Sequence, residues 1–195
     1  STLALFEELE RNGLEVMLVV PKFRNEVIAQ KNISTFKVPF DRPTSSEDIY
    51  LKLGNPLFEA LYVDCLVREV RHIRPQLLHS THFFCTPATY IVSKLTGLPF
   101  ISNVLDFRLV CSAETCFREG TMRSCGYWQR ARCLYSETGS LPKTIYGSII
   151  VKAMRAFFEG SEKIVVASDF VAEILRKVLN TEIVTIPLIV RKEYE

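Results

Sequence analysis

Two of the three histidines in this 195-residue chain, His79 and His82, stand three residues apart in Leu78-His79-Ser80-Thr81-His82-Phe83. An imidazole titrates near neutrality, so at a cleft it can carry a proton or hydrogen-bond a sugar hydroxyl or a phosphate. The competing structural reading is a capped loop histidine, or one packed beneath the next helix. Asp106 and Arg108 follow an apolar run at Phe100 to Val104. A carboxylate there can bind hydroxyls and a guanidinium can pair with phosphate; the alternative is a turn with an exposed ion pair of little energetic weight. Ser168 stands just past another apolar run, Lys163 to Ala167. His79 and Asp106 are the candidates for catalysis. With His82, Arg108 and Ser168 they are the candidates for holding substrate.

Cys111, Cys116, Cys125 and Cys133 are four of six cysteines and fall within one short stretch. Thiolates this close can converge on a tetrahedral ion, and zinc suits them better than iron. The CxxC knuckle is missing, which leaves two disulfides as the second reading and unlinked thiols as the third. Four sulfur ligands would leave no open coordination position, so any metal here is structural. Cys65 and Cys85 read as ordinary packed cysteines.

These residues need elements to position them. Ser1 to Gly13 has helical spacing behind a Ser/Thr cap, with a glycine where a left-handed terminus belongs. Leu14 to Val20 is an apolar strand expected to stop at Pro21, and Ile33 to Val38 a second strand. A helical pattern from about Ser46 to Ile73 breaks at Gly54-Asn55-Pro56, and Leu77 to Ser80 is a strand. A helix from Thr86 to about Leu95, a strand at Phe100 to Val104 and a helix at Leu141 to Phe158 follow. Then come a strand at Lys163 to Ala167, a helix at Phe170 to Leu179 and a strand at Glu182 to Ile186. Repeated βα alternation with strands apolar on both faces predicts an α/β, Rossmann-like doubly wound parallel sheet. Such sheets bind ligands in the crevice outside the carboxyl ends of their strands. That rule selects Pro21 to Arg24, His79 to Phe84, Leu105 to Arg108 and Ser168 to Phe170.

Composition fits one globular domain, with 48% hydrophobic and 24% charged residues and a formal net charge of +2. The basic residues are interspersed with acidic ones, which argues against a nucleic-acid partner. No apolar run is long enough to cross a bilayer and no leader pattern opens the chain, so a cytoplasmic location is expected. The chain starts at a helix cap and finishes in a charged tail, and both ends read as trimmed. Within Leu141 to Phe158, Ile145, Ile149, Ile150, Met154, Phe157 and Phe158 accompany Lys143, Lys152 and Arg155. That pattern is a core-facing helix with solvated lysines, or a helix resting on an anionic membrane that carries a lipid-linked acceptor. No glycine-rich phosphate loop and no Ser-His-Asp or paired-carboxylate spacing occurs, which disfavours a free-standing dehydrogenase or hydrolase.

The ordered segments Arg11-Asn12-Gly13-Leu14-Glu15-Val16, Leu78-His79-Ser80, Leu95-Thr96-Gly97-Leu98-Pro99-Phe100-Ile101, Leu105-Asp106-Phe107-Arg108-Leu109-Val110-Cys111 and Ala167-Ser168-Asp169-Phe170-Val171 carry a family likeness. Together they resemble the N-terminal, acceptor-side domain of the retaining glycosyltransferases of family 4 (group 1), enzymes of the two-domain GT-B fold. The resemblance implies a hexosyltransferase domain over residues 1–187, with a cysteine-rich insertion at about 111–140 and an interdomain linker starting at 188–195. It implies a glycan or lipid-linked acceptor bound here and a nucleotide-sugar donor held mainly by a C-terminal domain, so this domain alone should not transfer sugar. It further implies a cysteine-containing insertion that Cys111, Cys125 and Cys133 match better than Cys116. Leu105 replaces the His that usually precedes Asp106 and can move no proton. Either the chemistry does without that group, using His79 or His82, or activity is lost. Pro187-Leu188 replaces the usual Pro-Asn. The rival reading is a non-catalytic Rossmann-like binding or scaffold domain whose metal-stapled cysteine loop presents Trp128, Arg130 and Arg132.

Overall fold

The computed structural model describes residues 2–23, 32–39, 56–105, 107, 109–110, 117–118, 121–122, 131–133, 135–136 and 139–187. Helix α1 (Thr2–Arg11) ends at Gly13, whose φ of +79° suits a residue without Cβ. Strand β1 spans Leu18–Lys22 and pairs in parallel with β2 (Ile33–Lys37). The strand therefore begins four residues later and ends two residues later than its sequence pattern predicts, and it passes through Pro21. The hydrogen bonds from Leu18 N–H to Asn32 O and from Val38 N–H to Lys22 O set the alternation, turning positions 18, 20 and 22 of β1 towards β2. Pro21 faces the other way, where β1 has no partner strand among the described residues, and the missing N–H costs none of the described ladder bonds.

Helix α2 (Pro56–Ile73) leads to β3 (Leu78–Ser80), and a 3-10 turn (Phe83–Cys85) to helix α3 (Thr86–Thr96). Gly97 closes α3 in the left-handed conformation, φ +72°, donating its N–H to Ser93 O. Strand β4 (Phe100–Val104) follows, then a two-residue hairpin, β5 (Phe117–Arg118) and β6 (Thr121–Met122). Helix α4 (Leu141–Glu159), β7 (Lys163–Val166), α5 (Asp169–Arg176) and β8 (Ile183–Thr185) complete the described chain.

Strands β3, β4, β7 and β8 form one wholly parallel sheet in that order, each pair joined by a helical crossover. The predicted α/β class and parallel pairing are present, but β1 and β2 form a separate sheet. No strand among the described residues bridges β1 to β3. Two hydrophobic clusters result. One joins Phe23, Phe36 and Val38 to Phe58, Tyr62 and Leu66 of α2 and reaches Leu78 and Phe100. The other joins Val104, Leu109, Ile164 and Val166 to Met154, Phe158 and Leu175. Phe36 stacks on Tyr62 with centroids 4.9 Å apart, a contact beyond simple area burial.

Candidate functional site

The parallel sheet opens its carboxyl edge where β3, β4 and β7 end. Ser80 pairs with Ser102, and Val104 with Val166, so the segments after β3, β4 and β7 emerge side by side. Between them lies a small pocket of about 70 Å³ lined by His82, Phe83, Asn103, Val104, Leu105 and Phe158. Complete small-molecule sites hold about 300–1,000 Å³, so this pocket seats a substituent of a ligand rather than a whole nucleotide sugar.

His79 lies within β3 rather than beyond it, half-buried, with Nε2 2.9 Å from Asn103 Oδ1. It pairs across the ladder with Ile101, so Asn103 is its diagonal neighbour on the same face. Burial pushes the imidazole below its ordinary pKa, opposed by the Asn103 contact. A neutral ring donating Nε2–H to Asn103 orients that amide, which reaches the pocket. Asn103 is thus a site residue that the sequence alone did not reveal, because a lone Asn inside an apolar strand carries no motif. The signal available was its place on the His79 face, which depends on register.

His82 stands at the exposed rim. It caps the 3-10 turn by accepting the Phe84 N–H at Nδ1, 3.4 Å, and its ring stacks on Phe84 at 5.6 Å. Accepting at Nδ1 places the proton of the neutral ring on Nε2. Leu105, where the resemblance calls for His, is 56% exposed and forms part of the pocket wall. Asp106 and Arg108 lie outside the described residues. Ser168 caps α5, its Oγ accepting the Val171 N–H at 3.4 Å, while Asp169 accepts a 2.6 Å hydrogen bond from Thr185 Oγ1. Phe170, beside them, meets Phe107 edge-to-face at 6.0 Å. The structure therefore brings His79, His82, Asn103 and Leu105 together, with Ser168 along the same edge.

Cys111, Cys116 and Cys125 also lie outside the described residues. Cys133 is half-buried, and among the described residues no group of three or more His, Cys, Asp or Glu is placed to hold a metal. The described structure thus gives no support to a four-cysteine cluster.

A second unforeseen group lies between α2 and α3. Glu59 accepts the backbone N–H of Ala88 in the first turn of α3, whose own cap residue, Cys85, makes no side-chain cap bond. Its Oε2 is buried without a hydrogen-bond partner. Burial pushes the carboxyl up to about 7, the Ala88 bond opposing. Nearby, Tyr62 hydrogen-bonds Cys85, and burial pushes that thiol up to about 12 and the phenol well above its usual range. A thiol so far from ionising is a packing group rather than a nucleophile.

A scan against protein-family models and a search of curated proteins both return no match. Solved structures do match. Sucrose-phosphate synthase of Thermosynechococcus elongatus superposes with a TM-score of 0.56 at 13% identity, over 95% of this chain and 82% of that one. The chain has a glycosyltransferase-like fold. Os79 of O. sativa, solved with U2F and trichothecene, gives 0.51 at 18% identity, over 92% of this chain and 47% of that one. This chain therefore spans about half the length of the second protein. At such identities the likeness extends to the α/β fold with its parallel strands.

Proposed function

We propose that this chain is the acceptor-side domain of a glycosyltransferase that moves a sugar from a nucleotide-sugar donor to a glycan or lipid-linked acceptor. The observation that carries the reading is the pocket at the carboxyl edge of β3 and β4, set in a glycosyltransferase-like fold and built from two hydrogen-bonding side chains beside an apolar wall. That mixture suits a sugar: Asn103 and His82 offer polar groups to hydroxyls, while Leu105 and Phe83 meet the C–H surface of the ring. His79 acts as a positioning residue through Asn103. Ser168, with Asp106 and Arg108 by their place in the sequence directly after β4, extends the acceptor site. The donor would be held by a C-terminal domain, as the resemblance to the family 4 glycosyltransferases implies.

The test is nucleotide-sugar turnover by the full-length protein and its Asn103→Ala and His82→Ala variants. A loss of about a hundredfold or more in kcat/KM, roughly 3 kcal/mol of transition-state binding, is the expected result. Unchanged rates in both would remove this pocket from the reaction. The exposed Leu105 favours a second reading, a non-catalytic binding domain. Robust wild-type turnover excludes it, and an inert wild type that gains activity as Leu105→His establishes it. The proposed structural zinc of Cys111, Cys116, Cys125 and Cys133 is checked by elemental analysis, with close to one zinc per chain expected.

A further inference from the structure

On leaving β4 the chain gives Leu105 to the pocket wall and then turns back into the core. Leu105 is exposed, whereas Leu109 and Val110 are buried. Val110 N–H donates to Phe107 O at 2.8 Å, closing a turn, and Phe107 packs against the cluster that holds Val104, Phe158 and Val166. Arg155 of α4 reaches this turn and donates its Nε–H to Leu109 O at 2.9 Å. The side chain is half-buried, unlike the exposed Lys152 three residues before it. Arg155 thus turns inward, onto a backbone carbonyl of the segment that follows β4.

The place of Arg155 on α4 gives this bond its consequence. Phe158 follows it at i+3, so the two side chains are neighbours on the helix surface. Phe158 is wholly buried and, with the buried Phe83 and Val104, forms the apolar floor of the pocket. One turn of α4 therefore supplies the floor through one side chain and, through another, grips the segment that carries the Leu105 wall. Phe107 anchors the same segment from a second direction, meeting Phe170 of α5 edge-to-face at 6.0 Å. Asp106 and Arg108 stand between these anchors in the sequence. A guanidinium stays charged at any working pH, so its bond to a carbonyl is of the stronger, charge-assisted kind.

We propose that Arg155 is a positioning residue: its Nε–H bond to Leu109 O sets where Leu105 stands over the pocket, and so sets the fit of the acceptor group that enters. The hold on the segment does not depend on sugar transfer. Its consequence for acceptor binding rests on the function proposed above. Three replacements separate the hydrogen-bond donor from the charge, because Met, Gln and Lys match Arg closely in helix propensity. Gln places an N–H nitrogen at the same bond position as Nε but carries no charge. Lys keeps the charge and places a carbon there, and Met has neither.

Amide hydrogen exchange of the full-length protein tests the hold. Val110 should exchange about tenfold faster in Arg155→Met and Arg155→Lys and return to within about threefold of wild type in Arg155→Gln, as the loss and recovery of one hydrogen bond implies. The Ile164 amide, bonded to Glu182 O at 2.9 Å, reports opening of the parallel sheet and should not change. Turnover of UDP-glucose onto octyl glucoside then reads the pocket. Arg155→Met should raise the acceptor KM about tenfold and leave kcat within about twofold, with Arg155→Gln close to wild type. Equal exchange at Val110 in all four proteins overturns the inference. So does recovery by Lys but not by Gln, which assigns the effect to charge. Faster exchange at Val110 and Ile164 alike also overturns it, because Arg155 then supports the fold as a whole. A fall in kcat at unchanged KM removes the role in acceptor binding. Absence of turnover in the wild type counts against the transferase reading, and the exchange result then stands by itself.

Discussion

Helices α2 and α4 are of similar length and both pack against α3, but α4 exposes more large aliphatic side chains. Apart from Leu57 and Ala60, the exposed positions of α2 are Asp64, Arg68, Arg71 and His72, with Asp64 and Arg68 paired at 2.9 Å. The corresponding face of α4 presents Leu141, Ile145 and Ile149 together with Lys152 and Glu159. Their inner faces are alike, anchored by Phe58 and Phe158, each almost wholly excluded from water. Burial thus separates a residue that holds the fold from one that adds little to it, although both are hydrophobic.

Truncation should divide the two faces most sharply. Phe58→Ala and Phe158→Ala should each cost about 3–5 kcal/mol in denaturant melts, through lost transfer energy and an unfilled cavity. Equal losses from Ile145→Ala would collapse the distinction, since an exposed side chain in a free chain should change stability by no more than about 0.5 kcal/mol.

Glu59 gives the next largest effect, and it is confined to α2. Its folded pKa is raised, so its contribution to stability is fully present below 4.5 and is lost as pH rises through about 7. Glu59→Gln keeps the shape and removes that loss. The variant should match wild type at pH 4 and exceed it by about 3 kcal/mol at pH 8, read from urea melts at the two pH values. A flat difference across that range would mean that the carboxyl is better solvated than its burial implies. The smallest effect belongs to the solvated pair: Asp64→Ala should cost about 0.3 kcal/mol and fade with added salt.

Much of the architecture was legible from local pattern. The strand at Phe100–Val104, the helix opening at Leu141 and the Gly97 terminus lie where apolar periodicity, capping and glycine placed them. The edges of β1 were not, because Pro21 is forbidden only where its N–H would face a partner, and that is a property of the sheet rather than of the residue. Separation of β1–β2 from the other strands was illegible for the same reason: pairing joins residues far apart in sequence. At the site, His79 and His82 were visible as polar residues near a strand end. Asn103 and Glu59 gain their environments from register and from the approach of α3, which no spacing rule encodes. Ile145 and Ile149 were legible as apolar but not as exposed, since periodicity reports which residues share a face and not what lies opposite it.

The isolation of the β1–β2 pair has a dynamic consequence. All five residues of β1 are only half-buried, whereas Phe100, Ser102 and Val104 of β4 are sealed between flanking strands and helices. A parallel ladder that is two-stranded among the described residues has little to resist local opening. Amide hydrogen exchange should therefore erase protection at Leu18, Val20 and Lys22 long before it reaches β4 and β7. Val19, whose N–H turns to the side without a described strand, should exchange first. Local opening would thus begin at this pair while the quadruple sheet and its pocket stay closed.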